Sequence, residues 1–300
     1  PVGEGRESCV RCHSGVGYID YTSGEEELRT DYQVITCAVC HDPHDASNPN
    51  QLRVFDSVSL PDGTEVAQAG PAATCMTCHN ARRDPVASVD AAVAGESFGT
   101  PHHSVAAEQM NSTGGYTWGE TLPTSTHGRA VEDTCITCHM GATPGMDNNG
   151  TPDDNSDDTP LPGHNTVGEH TFAVKDADGN ENVAVCQTCH DYAESFEFAA
   201  RGDYDGNGTV ESNQVEVEGL RTLLEEALVE AGVVPTGGHP VFEFPDGASA
   251  DLYGAAWNLE FTLSGGTAVH NLRYTVALLQ LSYEKVTGEP VPNAYILPPK

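Results

Sequence analysis

The chain has 300 residues and a formal net charge of -32, with 45 Asp and Glu against 13 Lys and Arg. Leu, Ile, Val and Phe supply only 57 residues, 19% of the chain, a fraction that with this charge is typical of chains unable to bury a core of their own. The charge repels nucleic acid and anionic lipid, and no stretch approaches the roughly 18 apolar residues of a membrane helix, so neither a nucleic-acid partner nor a membrane span is expected. No charged-then-apolar segment precedes Cys9, so the sequence reads as the mature product of an exported chain, periplasmic or extracellular.

Along the chain, all ten cysteines fall into five copies of Cys-x-x-Cys-His: Cys9-Cys12-His13, Cys37-Cys40-His41, Cys75-Cys78-His79, Cys135-Cys138-His139 and Cys186-Cys189-His190. Composition alone would give about 0.014 copies. Two thiols three residues apart reach the two vinyl groups of one porphyrin and form thioethers, and the next residue, His, lies under the iron. A zinc or disulfide framework needs neither the following His nor five repeats. The expectation is five covalently bound haem c groups whose flat apolar faces replace the missing aliphatic core. The fold expected is mostly coil with a minority of helix and little strand, organised around the haems, and largely unfolded without them.

Five proximal histidines leave eight others. His44, His103, His127, His170 and His270 are the first candidates for the distal side of the irons, with His102, His164 and His239 behind them. His44 follows His41 across Pro43, which aims it away from its own site. His127 precedes Gly128, which allows close backbone approach to a porphyrin. His102 and His103 are adjacent, so one is expected to ligate and the other to meet a propionate. With only four methionines, two of them in or beside the motifs, bis-His, low-potential irons are expected. Arg6, Arg11, Arg82, Arg83, Arg129 and Arg273 are candidate propionate partners.

Residues 141–163 are rich in Pro, Gly, Asp and Asn and read as a loop, either solvated or ordered by calcium. Asp203, Asp205, Asn207, Gly208, Thr209 and Glu211 follow the start of an EF-hand loop, a candidate calcium site. Position 12 is Gln214 rather than Glu, with Glu216 or Glu218 as a substitute; the alternative is an Asx-rich turn before a helix. From Gln214 to Ala231, Val217, Leu220, Leu224, Ala227 and Leu228 recur at helical steps, and Gly232 can end the helix. Further helices are expected at about 249–262 and 269–286. The division predicted is a loop-rich, haem-bearing region over 1–200 and a helical lobe over 201–300 that covers haems and donates His270.

Several stretches resemble the nitrite, hydroxylamine and tetrathionate reductase superfamily of multihaem cytochromes and its electron-transfer relatives. They are Cys-His-Asp-Pro-His at 40–44, Pro-His-His-Ser at 101–104, Cys-His-Met at 138–140, Gly-Glu-His-Thr-Phe at 168–172, and the run from Ala255-Ala256-Trp257-Asn258 to Val269-His270-Asn271-Leu272-Arg273-Tyr274. The nitrite reductases carry Cys-x-x-Cys-Lys at the catalytic haem, and all five motifs here end in His. The resemblance therefore implies the architecture and bis-His wiring without the catalysis, and it extends to extracellular cytochrome nanowires, in which a histidine of one subunit commonly ligates a haem of the next. Two functions follow as expectations. The first is an electron conduit, as a filament of copies of itself or as a soluble carrier, exchanging electrons with redox proteins or extracellular acceptors and catalysing no reaction of its own. The second is a reductase of a small nitrogen or sulfur oxyanion, which needs an iron with an exchangeable position.

Overall fold

The computed structural model describes residues 7–238 and 241–298. About 36% of the chain is helical and about 8% is in strands or bridges, the rest irregular. This is the coil-rich, strand-poor architecture predicted from the sequence, and the reason is compositional. Alternating apolar runs are scarce, so the paired strands are short local hairpins: Asp56–Ser59 with Glu65–Gly70, Met146–Asp147 with Thr159–Pro160, and Val234–Pro235 with Phe242–Glu243.

The three longest helices are the ones whose apolar periodicity is strongest. Asn213–Glu230 starts at Ser212, whose side chain accepts the Val215 N–H, and buries Val217, Leu220, Leu224, Ala227 and Leu228; Gly232 follows with φ +91°. Ala250–Thr262 starts at Ser249, which accepts the Leu252 N–H. Hydroxyl capping of an otherwise orphaned N–H is the reason Ser sits at both starts. Thr267–Thr287 begins after Gly266 and ends at Gly288, both left-handed at φ +80°.

These helices pack into one core around Trp257, Phe261, Tyr274, Leu278 and Leu279. The core also takes in Ala81, Val105 and Leu122 from the haem-bearing part of the chain. Segment 114–118 is bolted across it. Trp257 Nε1 donates to the Gly114 carbonyl at 2.9 Å, Asn258 accepts the Tyr116 N–H and donates to the Tyr116 carbonyl at 2.8 Å each, and Trp118 Nε1 donates to Asp251 at 2.7 Å. A smaller cluster, Leu60, Ala69, Ala72, Ala73, Met76 and Ala107, supports the third motif.

The terminal helix is broken once. Asn271 has φ -159° and ψ 75° inside it, and its buried amide replaces the lost helical contacts. Nδ2 donates to the Gln109 carbonyl (3.0 Å), Ser112 Oγ (2.8 Å) and Thr124 Oγ1 (3.1 Å), while Oδ1 accepts the Ser125 N–H at 2.7 Å. Breaks of this kind require substitute partners for the freed groups. Here they tie the helix to residues 109–125 immediately after His270.

Candidate haem centres

Each Cys-x-x-Cys-His motif folds as a single helical turn. The histidine N–H donates to the carbonyl of the first cysteine at 2.9 Å for His41 and His79 and 2.8 Å for His190; His13 and His139 end the helices Glu7–His13 and Cys135–His139. Residues three and four apart on a helix share a face, so the turn presents both thiols and the imidazole together, as thioether attachment beside an axial ligand requires. None of the ten cysteines is in a disulfide. Cys12 lies within hydrogen-bonding reach of Cys78, and Cys75 of Cys135. The first, third and fourth attachment points are therefore neighbours in space although they are far apart in the chain. Burial pushes the Cys40, Cys138 and Cys186 thiols up, whereas the hydrogen bond from Cys78 brings Cys12 down to about 6. Thioether formation would abolish all of these titrations.

The imidazoles are oriented from behind. Nδ1 of His41 meets the Asn50 carbonyl at 2.7 Å, His139 the Phe172 carbonyl at 2.9 Å, His127 the Val269 carbonyl at 2.8 Å and His164 the Pro144 carbonyl at 2.5 Å. His79 Nδ1 meets Ser104 Oγ at 2.7 Å. An Nδ1–H given to a carbonyl fixes the tautomer and leaves the Nε2 lone pair for a metal. His270 is less tightly held, with Nδ1 3.4 Å from Gln109 Oε1.

Four proximal histidines face a second histidine. The ring centroids are 6.0 Å apart for His13 and His102, 6.4 Å for His41 and His170, 6.2 Å for His190 and His127, and 6.3 Å for His139 and His270. A metal bound at about 2.0 Å by each nitrogen, with each ring centre about 1.1 Å further on, needs about 6.2 Å. The spacing fits one axially ligated iron per pair. Burial, then the Arg82 charge, pulls His102 down to about 4; burial, then His139, does the same to His270. Both are neutral near pH 7, the state a ligand needs.

Residues 31–84, which hold the second and third motifs, match the family described as the doubled CXXCH motif. The match supports a multihaem c-type cytochrome. No curated protein and no solved structure matches the chain. Covalent haem c thus has both the motif and, at four positions, the opposed imidazoles that fit it.

The remaining candidates are placed differently. His102, rather than His103, faces His13; the His103 ring lies beside His102 at 4.1 Å. His44 is exposed with its backbone N–H on Asp42. Among the described residues no imidazole ring stands opposite His79, His44 or His164 at the spacing of the four pairs. His239 and Arg6 lie outside the described residues. Of the candidate propionate partners, Arg83 donates to the Thr100 carbonyl at 3.3 Å, and Arg11 lies 5.5 Å from the Tyr21 ring centre. Arg53, with no sequence signal of its own, pairs with Asp42 at 2.9 Å and donates to the Ala38 carbonyl at 2.8 Å, bracing the second motif.

The acidic turn is organised around a residue beyond the motif. Carboxylate oxygens of Asp203, Asp205 and Glu216 lie within 4.8 Å of one another. Glu216 is fully buried and accepts the N–H groups of Tyr204 (2.7 Å) and Glu211 (2.9 Å). Asn207 donates to Asp205 and Glu211, and its Oδ1 accepts the Thr209 N–H. Among the described residues no such triad comes from 141–163, where Thr151 bonds Asp157 and Asn149 donates its backbone N–H to Asp147.

Proposed function

We propose that the chain is an electron-transfer protein that works as a repeating subunit of an extracellular filament of its own copies. One observation carries this reading. Like His41 and His139, the third-motif His79 is held through Nδ1, by Ser104, yet no ring opposes it among the described residues. His164 is prepared as a ligand, with Nδ1 held by the Pro144 carbonyl, and also lacks an opposing ring. A donor without an acceptor and an acceptor without a donor on one chain are satisfied by a head-to-tail contact between copies, and such a contact propagates when the rotation does not close.

Haem c, when bound, supplies one-electron iron chemistry. The protein's part is to hold each iron between neutral imidazoles, to fix their tautomers through carbonyl acceptors and to keep attachment points such as Cys75 and Cys135 adjacent. The charge of -32 opposes self-association at low ionic strength, so assembly is expected to strengthen with salt. The triad Asp203, Asp205 and Glu216 supports a structural calcium in the same subunit. The unopposed His79 also favours a second reading, a reductase whose third iron takes up a small oxyanion.

Electron microscopy of the haem-loaded protein, together with its electron paramagnetic resonance spectrum, separates the readings. The filament reading expects ordered polymers without a high-spin ferric signal. His164→Ala should then yield discrete particles carrying about one high-spin haem in five. Discrete wild-type particles with a high-spin haem that binds nitrite or carbon monoxide would establish the reductase instead. A high-spin haem produced by His239→Ala, with polymers intact, would place the missing ligand within the chain.

A further inference from the structure

The terminal helix is interrupted at Asn271, and the bonds on either side of the break lead to two different haem centres. Before it, Val269 and His270 both donate their N–H to the Gly266 carbonyl, at 2.9 and 2.7 Å. After it, a new helical segment starts with Asn271 as its cap. The φ of Asn271 is -159°, extended rather than helical, and its Oδ1 accepts the N–H of Tyr274, three residues on, at 3.3 Å. That is the bond a capping side chain makes at a helix start. Residues 267–270 are therefore a single turn set off from the helix that follows.

The break releases one carbonyl. In an unbroken helix the Val269 carbonyl would accept the N–H of Arg273, four residues on. That N–H instead goes to Ser125 Oγ at 3.2 Å, and the Val269 carbonyl meets Nδ1 of His127 at 2.8 Å. His127 faces His190, so the released carbonyl serves the centre of the fifth motif. The next residue serves the fourth, because His270 faces His139. The His270 ring lies against Gly266, where a Cβ would come within 2.9 Å of its Cε1, and its Nδ1 is 3.4 Å from Gln109 Oε1. Asn271 fixes that Gln109 as well, since its Nδ2 donates to the Gln109 carbonyl at 3.0 Å. Both residues are buried.

We infer that Asn271 is a positioning residue for two irons at once: by ending the first turn at His270 it holds that imidazole toward His139, and by releasing the Val269 carbonyl it gives His127 the acceptor that fixes its tautomer. An imidazole whose far N–H is given to a carbonyl is the more basic ligand, and a more basic ligand favours ferric iron, so this bond lowers the potential of the fifth centre. The inference goes beyond the filament reading. It involves neither His79 nor His164, and it holds whether or not copies assemble.

The test is paramagnetic resonance and potentiometric titration of the haem-loaded protein. His270→Ala and His127→Ala each open one iron, which marks the low-spin components of the fourth and fifth centres. Asn271→Leu favours an unbroken helix and should change those two components together, leaving the other three-fifths in place. The fourth should turn high-spin. The fifth should stay low-spin and gain at least tenfold in its reduced-to-oxidised ratio at fixed potential, about 59 mV for one electron. Asn271→Ser, which can still cap the following helix, should restore most of both. Ser125→Ala removes the acceptor of the Arg273 N–H, which then competes for the Val269 carbonyl; it should raise the fifth centre alone, by less. The inference is overturned if Asn271→Leu leaves both components as in the wild type, if it changes just one of them, or if the other three-fifths move equally. Should Asn271→Leu fail to fold or to load haem, Ser125→Ala decides: an upward shift of the fifth component alone supports the inference and an unmoved one overturns it. Microscopy of the same samples reports assembly separately, so failure of the filament reading leaves this result intact.

Discussion

The helices between Asn213 and Thr287 bury Trp257, Phe261, Leu278 and Leu279 completely or nearly so, whereas the five motif turns leave His13 and His79 exposed and their cysteines only partly covered. The first region is held by the ordinary means of a globular protein: capped helices, an apolar core and a few bolts such as Asn258. The second has turns of one helical repeat, short hairpins and imidazoles facing each other across centroid distances of 6.0 to 6.4 Å. With haem bound at its motifs, one chain would use two sources of folding free energy, apolar burial in the C-terminal helices and ligand attachment elsewhere. The boundary between them is not clean. Asn271 and Gln109 bind the terminal helix to the segment between the third and fourth motifs, and His270 lies on that seam.

The contrast breaks most completely when haem is withheld. Expression without the attachment machinery should leave residues up to about 200 open to protease and without fixed side-chain environments, because ligand binding there is folding free energy. The far-ultraviolet circular dichroism signal of the three C-terminal helices should largely persist. Equal loss of both regions would mean that the helical core does not stand without the haem region. A cavity in the helical core should act the other way. Leu278→Ala removes a completely buried side chain and should lower stability by about 3 kcal/mol. It should do so with all five haems still attached, read by calorimetry beside a pyridine haemochrome assay.

What the sequence made legible follows the range of the forces involved. The motif turns and the apolar stripe of Val217, Leu220, Leu224 and Leu228 are set by neighbours three and four residues away, and the structure has the three long helices within two residues of where the pattern puts them. The choice between His102 and His103 is not local. The two rings lie side by side, and the hydrogen bond from the His102 N–H to the Ala81 carbonyl, some twenty residues back, fixes the backbone that brings His102 to 6.0 Å from His13. Asn271 reads as one more polar residue in an apolar helix until residues 109–125 arrive to bond it. Arg53 was equally hidden, and the sequence left Glu216 and Glu218 level as substitutes in the acidic turn. Glu216 lies two positions past the point where an EF-hand places its last ligand, and it turns inward because the N–H groups of Tyr204 and Glu211 meet it there.

Glu108 sharpens the comparison at the seam. It is buried, one oxygen accepts the Ala81 N–H at 2.8 Å, and the other has no partner. Burial, with a smaller push from Asp62, raises its carboxyl to about 7. A carboxyl whose folded pKa lies above the unfolded value keeps its proton longer in the folded state, so stability is highest below the unfolded value of about 4.5 and falls as pH rises to about 7. The decline expected across that window is of order 2 kcal/mol. Glu108→Gln should flatten it, as measured by chemical denaturation of the haem-loaded protein at pH 5 and pH 7.5; an unchanged slope would assign the pH dependence to other groups.

The most local effect tests whether the helical region has a metal staple of its own. Burial raises Asp205 above the usual carboxylate range, with the Glu216 and Asp203 charges adding to it, and a Cβ on Gly219 would collide with Asp205 Oδ2. Three crowded carboxylates repel one another unless a cation is shared among them, and Ca²⁺ is matched to oxygen donors of this kind. A ligand that binds only the folded state stabilises it in proportion to the logarithm of its concentration over Kd. Calcium at a hundred times Kd should therefore add about 2.7 kcal/mol to the local unfolding of the Asn213–Glu230 helix, and only a few degrees to the melting of the whole protein. Hydrogen exchange of the Tyr204, Glu211 and Val217 amides with calcium and with chelator reads the local term directly. Protection that rises with calcium, and no longer does so in Asp205→Asn, gives the helical region a second staple independent of haem. Identical exchange under both conditions leaves that region to apolar burial alone, and the three carboxylates as a turn held by its own N–H groups.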